Sequence, residues 1–302
     1  MTEAEKRGLM EPELYDALRR QVGDALSERE AADPPAKREL RKSHTDRALS
    51  LFGAIESSVP EVGEGMYSYG PGGYCENLEE NAAMGLLLGA LGRRDRAEKL
   101  ADAINKTIKK GGHGLYLTSC RGGDELTSTN AAMVAMLCAV GRRTEAEDLF
   151  RTISSSTPKG DNWLYGWRYG QRYETAEANA MMYVAMRALG MDYEAGELMA
   201  SLLGAMRKGK HGMYLRGVLS KTDETEETMG NAAMALALGV AGMAEEAERL
   251  LAAIERSVPK GKSGLYGTKP GSTFQFTSAT AVVCLAHLSL AGADLLGRER
   301  SR

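Results

Sequence analysis

The sequence predicts an all-α protein in which repeated helix hairpins form an α/α toroid. Three observations lead to this prediction. Related segments recur at a nearly fixed interval, each repeat holds one apolar and one amphipathic helical pattern, and the two kinds of connection between helices differ in length. A fixed period of this size is typical of stacked supersecondary units.

Two residue series set the period. Tyrosines that follow Leu or Met recur at intervals of 49, 49, 49 and 52 residues, and an asparagine or threonine recurs at intervals of 49, 49, 52 and 49. The distance from each asparagine to the next tyrosine is always 35 residues. The two series are Tyr67, Tyr116, Tyr165, Tyr214 and Tyr266, and Asn81, Asn130, Asn179, Asn231 and Thr280.

Each repeat carries two different helical patterns. The segment that begins at Asn130 is small and apolar on nearly every side, which indicates a fully buried helix. The segment that begins at Arg143 alternates apolar and charged residues at helical spacing, so one of its faces meets water. The alternation predicts an inner ring of helices wrapped by an outer ring. The short turns between them carry glycines suited to a left-handed helix end, namely Gly92, Gly141, Gly190 and Gly242.

The order of elements follows from the repeat. A helix is expected from Glu11 to Ser27, ended by Pro34 and Pro35, and it is available as a sixth inner helix although its pattern differs from the others. We therefore divide the chain into a helical lead-in at 1–43 and a toroid domain at 44–302. The inner helices are predicted to start near Leu78, Thr127, Ala176, Thr228 and Thr277.

Composition narrows the class of partner. A net charge of −3 and a pI near 6.0 give no basic surface of the kind that binds nucleic acid. The most apolar late stretch contains His287 and Asp294, so no membrane span is expected. The four cysteines lack CxxC spacing, which favours free thiols, and we expect a cytoplasmic protein without a metal or cofactor. The sequence carries no signal for an oligomeric state.

One rim of the toroid is predicted to carry the function. Connections from inner to outer helices take a few residues, whereas those leading back run over more than a dozen. All long loops therefore gather where the inner helices begin. Helix N-termini present unpaired N–H groups and partial positive charge there, which suits anionic groups or sugar oxygens.

Residues renewed in every repeat are interpreted as scaffold, whereas departures are functional candidates. The acidic series Glu76, Glu125, Glu174, Glu226 and Gln275 is renewed, as are the asparagine and tyrosine series. Glu79 and Glu177 are departures, because the other repeats have Ser128, Met229 and Ser278 at that position. Two carboxylates that face one cup are what glycoside hydrolysis needs. The alternative is that both are ordinary first-turn glutamates.

A second departure is the aromatic and basic loop from Trp163 to Tyr173, which leads to the third inner helix. Aromatic faces beside guanidinium groups fit stacking on a sugar ring and pairing with an acidic substituent; alternatively, the loop packs its own aromatics against the rim. The candidate ligand-binding residues are Trp163, Trp167, Arg168, Tyr169, Arg172 and Tyr173, together with Arg121 and Arg216 on the same rim.

Two further features have less specific interpretations. A three-residue insertion between Leu215 and Met229 gives the segment 221–227, which either reaches over the cup as a lid or forms a solvated charged run. His113 and His211 share a repeat position with Glu64, Asn162 and Ser263, so we do not expect a metal site there.

The repeat resembles α/α toroid proteins, specifically the six-hairpin glycosidase superfamily, whose buried inner helices begin with segments like residues 177–182, Glu-Ala-Asn-Ala-Met-Met. The resemblance covers roughly residues 44–296 and is architectural, since no diagnostic catalytic motif is present. It implies an active site at the N-termini of the inner helices, with carboxylates as acid and base acting on oligosaccharides or polysaccharides. Prenyltransferase and terpenoid cyclase toroids look similar too, but their Asp-rich motif and zinc-ligand set are absent.

The leading hypothesis is a carbohydrate-active protein of glycoside hydrolase type. Glu79 and Glu177 would divide the acid and base roles around a sugar stacked on Trp167 or Tyr169, with an arginine of the loop recognising an acidic substituent. Two alternatives remain open: a noncatalytic toroid that binds a glycan or a protein, and a toroid that binds an isoprenoid. In each case we expect a small-molecule or oligosaccharide ligand or a protein partner, without nucleic acid or membrane.

Overall fold

The computed structural model describes residues 34–71, 73, 76–217, 225–272 and 274–296. Within these residues it contains ten α-helices and a two-stranded antiparallel sheet in which Glu61 pairs with Tyr67. The elements are α1 Pro35–Ser58, β1 Glu61–Val62, β2 Met66–Tyr67, α2 Leu78–Ala90, α3 Arg94–Thr107, α4 Thr127–Ala139, α5 Arg143–Ser156, α6 Ala176–Leu189, α7 Asp192–Ala205, α8 Thr228–Val240, α9 Ala244–Ser257 and α10 Thr277–Ala291.

The inner and outer helices differ in burial as predicted. In α4 every residue from Thr127 to Leu137 is buried, whereas α5 buries only one stripe, formed by Ala146, Leu149, Phe150 and Ile153. The even-numbered helices are therefore the inner ring and the odd-numbered helices the outer one. All five inner helices start at the predicted residues, and the four turn glycines have φ between 74° and 84°, which confirms the left-handed helix ends.

The ring closes with five inner helices. Each inner helix packs against the next one along the chain, and α10 packs against α2 to complete the circle. The outer partner of α10 is α1, so the fifth hairpin is made from the two ends of the described chain. This arrangement leaves no gap for a sixth inner helix. The helix predicted from Glu11 to Ser27 lies outside the described residues, and α1 already begins at Pro35, with its buried residues starting at His44.

Hydrogen bonds between units hold the start of every inner helix. The first backbone N–H of each inner helix donates to a backbone carbonyl of the following unit, at 2.9–3.2 Å. The accepting residue lies two positions after that unit's tyrosine of the periodic series, which we call the ruler tyrosine. Thr277 N–H donates to the Tyr69 carbonyl, so the bond that links successive units also joins the last unit to the first. We call the five accepting residues the collar: Tyr69, Thr118, Trp167, Arg216 and Thr268.

The asparagine series fastens each tyrosine to the inner helix that follows. Asn130 Oδ1 accepts from Tyr116 N–H at 2.8 Å, and its amide nitrogen donates to the carbonyls of Tyr116 and Leu126 at 3.0 and 2.9 Å. The same pattern holds at the other three asparagines. In the fifth unit Thr280 Oγ1 accepts from Tyr266 N–H at 3.0 Å. The scaffold interpretation of this series is confirmed.

The acidic series is also scaffold. The Glu226 carboxylate accepts from the backbone N–H groups of His211 and Met213 at 3.1 Å each, and from His211 Nδ1 at 2.5 Å. Glu125 makes the equivalent bonds with His113. The histidines at this repeat position therefore stabilise the turn within their own units. No group of three or more His, Cys, Asp or Glu side chains in the described part of the chain could hold a metal ion, and no helix there is long and apolar enough to span a bilayer.

The hairpin that closes the ring contains a buried histidine pair. His44 of α1 and His287 of α10 have their Nδ1 atoms 2.9 Å apart, and both side chains are buried. A hydrogen bond between two ring nitrogens needs one donor and one acceptor, so it is lost if both rings are protonated. Burial, aided by His287 and Arg47 and opposed by Glu255, lowers the pKa of His44 from 6.5 to about 4.

Substitution of Asn130 by alanine should destabilise the protein by about 2–4 kcal/mol, because the buried N–H and carbonyl of Tyr116 lose their partners. The free energy of unfolding in urea measures this loss. Asn130→Thr is the matched control, since Thr280 shows that a threonine keeps the bond to the tyrosine N–H. Equal losses for both variants would contradict the role given to the side chain.

Replacement of His44 by glutamine should reduce the loss of stability on acidification. The folded pKa lies below the unfolded one, so this histidine's contribution is complete above pH 6.5 and is lost as pH falls toward 4. The drop from 6.5 to about 4, at ~1.4 kcal/mol per pKa unit, corresponds to up to about 3 kcal/mol. Unfolding free energies at several pH values measure the wild-type slope against that of the variant. Parallel slopes would contradict the prediction.

Candidate functional site

The first turns of the inner helices place five equivalent side chains toward the interior of the ring. Ser278 of α10 donates to Glu79 Oε1 of α2 at 2.7 Å across the closing contact. Glu177 lies on α6, with α4 between it and α2, yet the Glu79 carboxylate raises the pKa of Glu177. Both carboxylates therefore face the ring interior. We call this layer the axial layer, formed by Glu79, Ser128, Glu177, Met229 and Ser278.

The two predicted carboxylates share an environment that opposes ionisation. Burial raises the pKa of Glu79 to about 8, with further contributions from Glu80 and Glu227 and an opposing one from Ser278. Burial and Glu79 raise the pKa of Glu177 to about 7, opposed by the Ser128 hydroxyl and by Arg216. Both side chains nevertheless keep part of their surface accessible. The charge of Glu79 thus affects the ionisation of Glu177, and both side chains keep some contact with solvent.

A third carboxylate, Glu80, was missed by the sequence analysis. Its side chain is 2% exposed, its Oε1 lies 3.4 Å from Ser278 Oγ, and burial raises its pKa to about 7. The sequence does mark Glu80 as a departure from the repeat, because at this position the other units have Thr129, Ala178, Gly230 and Ala279. One buried polar atom of this region, Glu80 Oε2, has no hydrogen-bond partner among the described residues.

Trp167 joins the predicted arginines to the axial layer. Its backbone carbonyl caps α4, and its ring lies 5.2 Å from the Arg168 guanidinium and 5.6 Å from that of Arg216. Arg216 also pairs with Glu227 at 3.4 Å and acts electrostatically on Glu177. The structure therefore brings Trp167, Arg168 and Arg216 together with the predicted carboxylate.

Other predicted ligand-binding residues lie further out on the same rim. Arg168 pairs with Asp124 at 2.5 Å, and the Tyr169 ring stacks on His113 with 15° between the ring planes. The carbonyl of Tyr173 accepts from Trp167 N–H at 2.7 Å, which holds the two sides of the loop together. Tyr169 and Tyr173 are 39% and 36% exposed. Arg121 and Arg172 are exposed as well.

Trp163 occupies a different place. It is 74% exposed and has φ 62°, at a turn position where the other units have glycines with positive φ, namely Gly65, Gly114, Gly212 and Gly264. A side chain built on Gly114 would contact Thr152 of the following outer helix. The turn therefore lies beside the outer helices, and the left-handed backbone of a tryptophan there is strained.

An aromatic cluster missed by the sequence analysis lies on the other side of Glu79. Tyr69 of the collar packs edge-on against Phe276 with centroids 4.4 Å apart, and Phe274 packs against Phe276 at 5.2 Å. Burial, then Glu80 and Glu79, raise the pKa of Tyr69 to about 12, so its hydroxyl lies near both carboxylates. Phe274 is 60% exposed. The cluster thus extends from the axial layer to the solvent.

The residues predicted as a lid fall partly outside the described chain. Positions 218–224 are outside it, so the proposed lid remains a prediction. Glu226 and Glu227, which follow, belong to the turn and to the start of α8.

Comparisons with known proteins place the fold. No protein-family model matches the sequence, and no curated protein sequence matches it. Solved structures do match. A variant of a reducing-end-xylose releasing exo-oligoxylanase superimposes with a TM-score of 0.59 at 13% identity, covering 87% of this chain and 94% of that one.

Two more structures give the same result. A family 76 α-mannanase from Bacteroides thetaiotaomicron has a TM-score of 0.53 at 9% identity and covers 86% of this chain and 97% of its own. An α-amylase from Clostridium perfringens has a TM-score of 0.52 at 10% identity, with coverages of 80% and 97%. These likenesses establish the fold, an α/α toroid.

Proposed function

We propose that this protein is a glycoside hydrolase-like enzyme that binds an oligosaccharide at the axial layer and collar. The observation that carries the proposal is the coupled pair Glu79 and Glu177, which face the ring interior from two different helices. Groups with shifted pKa values in a partly accessible site are typical of catalytic acids and bases. The glycosidase names of the structural neighbours support the same class.

The environments of the two carboxyls suit different roles. With a pKa of about 8, Glu79 is protonated at neutral pH and able to protonate a leaving glycosidic oxygen. Glu177 has a lower pKa, about 7, because Ser128 and Arg216 favour its ionised form, and it is the group placed to activate water or to act as nucleophile. The pair therefore has one acid and one base at the same pH.

Aromatic surfaces on two sides favour an extended ligand. Trp167 lies on the Arg216 side of the axial layer, and the cluster of Tyr69, Phe274 and Phe276 lies on the other side. In the collar they are separated only by the unit of Thr118. Sugar rings stack on such faces through their C–H surfaces. An oligosaccharide that spans both surfaces would pass over Glu79, and the arginines beside Trp167 would receive an acidic substituent.

The setting we propose is the cytoplasm. Cys120, Cys138 and Cys284 are free thiols, and free thiols persist in reducing compartments.

Glu177→Gln and Glu79→Gln should each lower kcat at least about 100-fold on any oligosaccharide that the wild type hydrolyses, because each removes a proton-transfer group. A panel of neutral and acidic oligosaccharides, followed by product chromatography, measures this. The wild-type rate should peak between pH 7 and 8, limited by Glu177 below and Glu79 above. Glu98→Gln, an exposed outer-helix carboxylate, is the control. Hydrolysis that survives Glu177→Gln would remove the assignment, and binding without hydrolysis by the wild type would favour a noncatalytic glycan-binding toroid.

Trp167→Ala should weaken oligosaccharide binding about 10- to 100-fold, which corresponds to the loss of one stacking face. Calorimetric titration of Glu177→Gln, which retains the Trp167 stacking face, gives the reference Kd. The matched variant is Trp163→Gly, which restores the glycine of the other units at φ 62° and should leave Kd unchanged while stabilising the fold. If both substitutions weakened binding equally, the assignment of the sugar-stacking face to Trp167 would be wrong.

A further inference from the structure

A single hydroxyl lies between two buried carboxyl groups. Ser278 Oγ is 2.7 Å from Glu79 Oε1 and 3.4 Å from Glu80 Oε1. A serine hydroxyl has one proton to donate and lone pairs with which to accept. It therefore donates to one carboxyl and accepts from the other only if that second carboxyl carries a proton. The arrangement satisfies all three groups when the two glutamates hold one proton together.

The surrounding charges favour this state. The carboxylate of Glu227 adds negative charge beside Glu79, and both members of the pair raise the pKa of Tyr69. The cation of this region, Arg216, is engaged by Glu227 at 3.4 Å. Within the described chain neither Glu79 nor Glu80 has a Lys, Arg or His nitrogen within 4.0 Å. Two buried like charges without a counter-ion are costly, so one of them is neutralised by a proton.

The free oxygen of Glu80 supports the same distribution. Glu80 Oε2 is buried and has no hydrogen-bond partner among the described residues. An ionised oxygen in such a place loses its solvation without compensation, whereas the carbonyl oxygen of a neutral carboxyl loses much less. Hydrogen bonds from the Glu80 backbone N–H and from the Asn77 and Ser278 side chains favour the ionised form of Glu80 and oppose this effect. Either member of the pair can therefore hold the proton.

We propose that Glu79 and Glu80 share one proton through Ser278, and that Glu80 is a positioning residue which passes this proton to Glu79 before Glu79 gives it to a substrate. The sharing stands on the geometry alone, whereas the role in turnover rests on the proposed function. When the shared proton lies on Glu80, the Ser278 O–H proton moves to Glu79 and the Glu80 O–H proton moves to Ser278. The result is a neutral Glu79, an intact serine and an ionised Glu80, with no proton gained or lost.

Infrared spectroscopy of the full-length protein tests the sharing without any substrate. The carbonyl stretch of protonated carboxyl groups is followed as pH is raised, in a Glu177→Gln background so that Glu177 does not contribute. This reference protein should lose its buried protons in two separate steps. Glu80→Gln should leave one step, shifted down by about one pH unit, because the neutral amide donates to Ser278 and frees its proton for Glu79.

Ser278→Ala should shift the signal in the opposite direction, up by about one pH unit, because the ionised form of Glu79 loses its donor. Opposite shifts exclude a general loosening of the site, which would move both variants the same way. Ser128→Ala is the matched control: it lies at the equivalent position beside Glu177 and should leave the signal of the pair unchanged. Unchanged titration in Glu80→Gln, or shifts of the same sign in Glu80→Gln and Ser278→Ala, would overturn the proposal.

The role in turnover has its own readout. If the protein hydrolyses an oligosaccharide, Glu80→Gln should move the basic limb of the pH–rate profile down by the same shift of about one unit. Opposite infrared shifts without hydrolysis of any oligosaccharide would leave the shared proton standing and contradict the proposed function. Hydrolysis with an unmoved basic limb would contradict only the role of Glu80.

Discussion

A backbone hydrogen bond between neighbouring units fixes the start of every inner helix and the position of the collar. The first N–H of each inner helix needs an acceptor, and the following unit supplies a carbonyl two residues after its ruler tyrosine. Since only the backbone of the collar is used, its side chains are free to differ. They are a tyrosine, a threonine, a tryptophan, an arginine and a second threonine in ring order. A symmetric frame thereby presents an asymmetric rim.

The axial layer shows the same division between frame and variation. Two residues further along each inner helix lies the asparagine, or Thr280 in the fifth unit, which is buried and fixed by its hydrogen bonds. The position that faces the interior is a glutamate in two units and a small or apolar residue in three. Inner helices that are apolar on all sides provide a low-dielectric base for these glutamates, and burial is the largest cause of their raised pKa values. The packing that stabilises the ring therefore also tunes its carboxyl groups.

The sequence was informative wherever a pattern repeats. The start of α4 at Thr127 and the buried methionines followed from periodicity, and Glu79 and Glu177 emerged because they break it. Ring closure was beyond the sequence, since the pairing of α1 with α10 joins segments more than 200 residues apart. Periodicity gives the order of the hairpins along the chain but not which of them meet to close the ring. Trp163 and Trp167 illustrate the same limit. They are four residues apart in one loop, but a left-handed turn directs one beside the outer helices while the other forms part of the collar.

Because the ring is closed, the contact between the last and the first unit resembles the contacts between all other neighbouring units. Thr277 meets Tyr69 through the bond that every other pair of units uses, and Arg41 near the start of α1 lies against Gly292 just after α10. A short linker between these regions and a new opening in one of the short inner-to-outer turns would give a circular permutant with the same ring contacts. The order of the hairpins along the chain is thus separable from their order around the ring.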